Sequence, residues 1–150
     1  MSRPRTLNRE LGVSHNLIHQ RFGSKQQLWR ATVDWAFGRL AAEVGFEVDE
    51  SADPLDQLRA AVRGFLLFSA RHPDLLRLMN TESGLDSGRL DYLFETYVRE
   101  IPASTLFFLL AHGAAAPFSN EPLARRFGDT VDAQRHADLV ADLLVAGLRT

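Results

Sequence analysis

The chain has 150 residues, 45% of them hydrophobic and 24% charged, which is enough apolar material for one core and too much for a disordered chain. Leu and Ala number 41 against 18 for Val, Ile and Thr, and straight-chain residues keep rotamer freedom in a helix that β-branched ones lose, so an all-α fold is expected. The absence of cysteine excludes a disulfide scaffold, a Cys-ligated zinc site and a thiol nucleophile.

The net charge of −2 is unevenly spread. Residues 1–30 hold six basic groups against Glu10 alone, while the other 11 basic groups share residues 31–150 with 18 acidic ones. That asymmetry suggests an N-terminal part that meets a polyanion. Residues 3–11 predict a short helix, with Pro4 early and Leu7 and Leu11 stacked at i, i+4. Gly12 stops it and Ser14 caps a second helix that runs to about Arg21. This second helix is apolar at Leu17, Ile18 and Phe22 and polar at His15, Asn16, His19, Gln20 and Arg21. Gly23 and Ser24 form the next stop and cap, and a long helix follows over 25–44, with Leu28, Trp29, Thr32, Val33, Ala36, Phe37 and Leu40 at helical spacing.

Residues 43–53 are rich in carboxylates and read as a solvated linker. Asp53 and Pro54 then supply the cap and first turn of a helix whose face carries Leu55, Leu58, Val62, Phe65 and Ser69 and which ends before Pro73. A short helix is predicted over 74–80 and another over 89–101, which Pro102 breaks. Residues 105–116 are nearly all apolar and small, so they are expected to be enclosed. One turn is expected within 123–127, and a last helix over 133–148 aligns Ala137, Val140, Ala141, Leu144, Val145 and Leu148. The longest apolar run, 106–118, is interrupted by His112 and is too short to span a bilayer. With no basic-then-apolar leader, a cytoplasmic protein with no membrane contact is expected.

Two short helices about Leu11-Gly12-Val13-Ser14 have the dimensions of a helix-turn-helix, with the polar side of the second available to a major groove. The stretch Leu11-Gly12-Val13-Ser14-His15-Asn16-Leu17-Ile18-His19-Gln20-Arg21-Phe22-Gly23-Ser24-Lys25 resembles the signature of TetR/AcrR-type transcriptional repressors, in which Gly-Val-Ser opens the recognition helix and Phe-x-x-Lys closes the motif. Arg71-His72-Pro73-Asp74-Leu75 and the run 106–118 are similar to the downstream pattern. The resemblance implies an all-helical homodimer: a DNA-binding part over 1–44, here truncated, joined by the long helix to a ligand-binding and dimerisation body over 45–150. Carried over by position, Ser14, His15, Asn16, Leu17, His19, Gln20 and Arg21 would lie at or near double-stranded operator DNA, and Lys25 would meet a phosphate at a helix N-terminus. Against the family pattern, His19 stands in place of a phosphate-contacting tyrosine and Asn8 in place of a small alanine. No counterpart of the family's first helix precedes Met1, and Ile101-Pro102 shortens the seventh.

Trp35, Phe65, Phe68, Met79, Phe94, Tyr97, Phe107, Phe108 and His112 are the candidates for lining a pocket for a small apolar or aromatic inducer, although aromatic residues at helical spacing also build plain cores. His112 stands out as a polar group in an apolar helix. His15 and His19 have the i, i+4 spacing of a metal pair, yet no carboxylate shares their face, so no metal or other cofactor is expected. Gly23-Ser24-Lys25 has the wrong order for a phosphate loop, and no nucleophile elbow or paired carboxylates occur, so no enzyme activity is expected. The expected function is a ligand-responsive repressor that binds its operator as a dimer. The alternative is a helical ligand-binding or interaction protein that has lost DNA binding. The homodimer is expected to form through 105–116 and 133–148.

Overall fold

A computed structural model describes residues 23–83, 87–99, 104–128 and 130–149, and these are mostly helical with no strand among them. The predicted helices over 3–11 and 14–21, the loop at 84–86 and the break at Ile101-Pro102 lie outside the described residues. The chain divides into two compact units, Met1–Arg39 and Leu40–Thr150.

Helix α1 (Lys25–Glu47) begins in the first unit, where Trp29, Val33 and Ala36 are buried at spacings of four and three, as the apolar stripe predicts. It continues beyond the expected end at Val44. The reason is electrostatic: Glu43 pairs with Arg71, and Glu47 lies 3.7 Å from the Arg63 guanidinium, so two carboxylates of the expected linker belong to a helix that packs on its neighbour. The remaining link is short. Within it, the Ser51 hydroxyl and N–H both donate to Asp49, holding that carboxyl below its ordinary range.

Helix α2 (Pro54–Arg71) starts as the sequence predicts. The Asp53 carboxylate accepts from the Leu55 N–H at 2.9 Å, and Pro54 occupies a position that needs no N–H. The helix ends at His72, the residue before Pro73, where a proline disfavours helical backbone. Val62 and Leu66 face the core, and the Ser69 hydroxyl donates to the Phe65 carbonyl at 2.9 Å. Helix α3 (Pro73–Ser83) adds Leu76 to that core. Its Glu82, largely buried, pairs at 2.6 Å with Arg89 of helix α4 (Gly88–Leu93).

The sequence predicts one α-helix over 89–101, but α4 passes at Phe94–Val98 into a π-helical segment, closed by the Arg99 N–H donating to Phe94. Helix α5 (Ser104–Phe108) does the same over Leu109–Ala114, where the Ala115 N–H donates to Leu110 at 2.9 Å. A π turn holds one residue more than an α turn, so it rotates the following side chains off the stripe that α spacing assigns them. The expected enclosure of 105–116 is corrected. Ala111 and Ala115 are buried, whereas Phe108, Leu109 and His112 are exposed.

Single turns α6 (Ala116–Ser119) and α7 (Glu121–Arg125) lead to α8 (Ala133–Leu148), whose cap is the Asp132 carboxylate accepting from the Arg135 N–H. Ala137 and Ala141 have no exposed surface, and such small side chains let α8 lie close against Val62 and Leu66 of α2. Charges beside this seam fix the direction of the pair. Arg59 bonds Asp142 and Arg63 bonds Asp138, each at 2.7 Å, so the lower-numbered arginine meets the higher-numbered aspartate and the helices run antiparallel. The Asp142 hydrogen bond raises the Arg59 pKa. Among the described residues, no helix is long and apolar enough to cross a membrane.

Candidate functional site

Two sets of side chains carry functional expectations. Of the first, Ser14, His15, Asn16, Leu17, His19, Gln20 and Arg21 lie outside the described residues, and the description begins at the closing end of the motif. Gly23 has a φ of 73°, a left-handed conformation that suits glycine and turns the backbone into α1. The Ser24 hydroxyl then accepts from the Gln27 N–H at 3.1 Å, and the Ser24 carbonyl accepts from the Leu28 N–H at 3.0 Å. This is an N-cap built as the sequence predicts, and it places Lys25 as the first residue of a 23-residue helix. The positive end of the helix dipole and the lysine charge coincide there, an arrangement that favours an anion. Ser24→Ala should lower unfolding stability by about 1 kcal/mol, the usual value of such a cap. Urea titration followed by circular dichroism measures it, and an unchanged midpoint would refute the cap's contribution.

The second set is distributed over several elements. Phe65 packs on the core, and Phe68 is buried with its ring centroid 4.6 Å from that of His72. Met79 is half-buried on α3. Trp35, on the first unit's part of α1, is 56% exposed. Phe94 is exposed, and Tyr97 meets Tyr92 edge-on at 6.3 Å. Phe107, Phe108 and His112 form one ring cluster on α5, with the His112 ring 5.5 Å from Phe108 and 6.3 Å from Phe107. The His112 side chain is exposed, next in sequence to the buried Ala111.

A cavity is present elsewhere in the Leu40–Thr150 unit. An open cleft of about 250 Å³ is lined by Ala70 of α2, Pro73 of α3, Phe118 of α6, Arg125 of α7, Thr130 and Ala133. None of the nine residues expected to line an inducer pocket borders this cleft. Its walls come from helix ends and single turns, which carry no periodic signal. The available clues were Pro117-Phe118 at the end of the apolar run and the single turn expected near 123–127.

No family model matches the chain, and no solved structure matches it. The chain is similar to nucleoid occlusion factor SlmA of Shewanella frigidimarina, 25% identical over 100 residues that cover 61% of this chain and 51% of the relative. It is 26% identical over 103 residues to the protein of the same name from Vibrio atlanticus, covering 63% and 53%. The protein of that name from Shewanella woodyi is 25% identical over 100 residues, covering 61% and 51%. The chain thus spans about half the length of the curated relatives it matches.

Proposed function

We propose that this chain is a TetR-type DNA-binding transcriptional regulator that acts as a homodimer, with residues 1–44 as its DNA-binding part and 45–150 as its ligand-binding and dimerisation body. The signature segment at 11–25, in the most basic stretch of the chain, carries the reading. The relatives bear the name nucleoid occlusion factor, and a nucleoid is a body of DNA, which supports a DNA-directed role. In this reading Asn16 and Gln20 offer amides to adenine edges, while Arg21 and Lys25 act on phosphates. A dimer sets two recognition helices about 34–36 Å apart, so a ligand that changes their separation by a few ångströms breaks simultaneous contact. The inducer is a small, largely apolar molecule, and its release of the complex makes the protein a repressor.

Binding to a palindromic site from the neighbouring promoter, measured across salt concentrations, tests the reading. Affinity should fall linearly on a log–log plot, and Lys25→Ala should flatten the slope by about 0.9 per subunit while weakening all sequences alike. Asn16→Ala or Gln20→Ala should instead relax sequence preference. Binding that ignores salt, or none to any duplex, would defeat the proposal.

A further inference from the structure

The cleft at the start of α3 and α8 has a composition that selects a ligand. It is lined by the apolar Ala70, Pro73 and Phe118, by Thr130, and by Arg125 together with its ion-pair partner Glu121. Both α3 and α8 begin at its wall, since Pro73 and Ala133 are their first residues. The acidic residues at those two helix starts are engaged by their own helices, Asp74 with Arg77 and Asp132 with the Arg135 N–H. Arg125 is held only one turn from its own helix start by Glu121, in an i, i+4 pair with both side chains at least half exposed. Exposed pairs of this kind stabilise little, so an incoming carboxylate can take the guanidinium from Glu121 at small cost.

We propose that this cleft binds a small carboxylate with a compact apolar body, the body against Phe118 and Pro73 and the carboxylate on Arg125. The volume of about 250 Å³ accommodates a short aliphatic or single-ring acid. The inference stands apart from DNA binding: it concerns residues outside the expected inducer set and holds whether or not the chain meets an operator.

The test is titration of the 150-residue chain with 3-phenylpropionate, followed by amide NMR, with 3-phenylpropionamide and 3-phenylpropylamine as uncharged and cationic counterparts. The acid should saturate and shift the amides of Ala124, Thr130 and Ala133, while both counterparts bind more weakly. Arg125→Gln should weaken the acid about tenfold, as expected when a charge-assisted contact becomes neutral, with no change in melting temperature. Ala70→Phe should fill the cleft and abolish binding; if it unfolds the chain, Ala124→Phe, at another lining residue, does the same job. Equal affinity for the amide, unchanged affinity in Arg125→Gln, shifts confined to other regions, or no saturable binding at millimolar acid would each overturn the proposal.

Discussion

Leu66→Ala should remove about 2–5 kcal/mol of unfolding stability, a large part of what a domain of this size possesses. Leu66 has no exposed surface and shares the core with Val62 and Leu76, against Ala137 and Ala141 of α8. Truncation forfeits the transfer of three heavy atoms from water and leaves a void. The void is hard to close, because the side chains opposite are alanines and cannot reach further to fill it. The arginine–aspartate bonds beside the seam also hold α2 and α8 in register, which limits collapse. Urea unfolding should show a lower midpoint with an unchanged slope, the mark of lost stability without a change in compactness. Phe127→Ala is the comparison: Phe127 is 86% exposed, and its removal should move stability by no more than about 0.5 kcal/mol. Equal effects of the two substitutions would show that the α2–α8 seam is not the core.

Much of this organisation is legible from local chemistry. Asp53-Pro54 and Gly23-Ser24 each mark a helix start where the structure places one. The α2–α8 pairing was also written in the sequence, as Arg59 and Arg63 at a spacing of four and Asp138 and Asp142 at the same spacing. Those repeats signal partner helices only once both faces are known, and α periodicity supplies the faces. The same periodicity fails at Phe94–Val98 and Leu109–Ala114, since a π segment shifts the phase without any residue that announces it. His112, a polar residue within an apolar stretch, lies at the surface with Phe108 one turn before it. Of the expected DNA-contacting residues only Lys25 falls among those described, and its place at the first turn of α1 is the one its sequence context predicts. The cleft was least legible. It is assembled from one or two residues of several segments distant in sequence, and no single stretch of chain carries its pattern.

Leu143→Glu is expected to turn the proposed dimer into monomers that remain folded. The helix over 133–148 was expected to pair through a stripe that includes Leu144, but Leu144 packs against the core of its own chain. The outward residues are Leu139 and Leu143, 56% and 64% exposed and one turn apart, with Ala146 following on the same line. On α5, Phe108 and Leu109 are 60% and 51% exposed. Fully burying one such side chain is worth about 1.5–3 kcal/mol, and two-fold symmetry doubles every contribution. A carboxylate at 143 would lose that burial and enter an apolar interface unpaired, at a cost of several kcal/mol per site. In the isolated chain the same carboxylate sits in water, so folding should change by no more than about 0.5 kcal/mol. Leu144→Glu provides the contrast, since it forces a charge against the core and should lower the melting temperature before it affects association. Light scattering at micromolar concentration, paired with thermal melts, separates the two. A Leu143→Glu protein that keeps its dimer mass would show that the interface uses another face, and a Leu144→Glu protein that melts normally as a monomer would return the interface to the inner stripe.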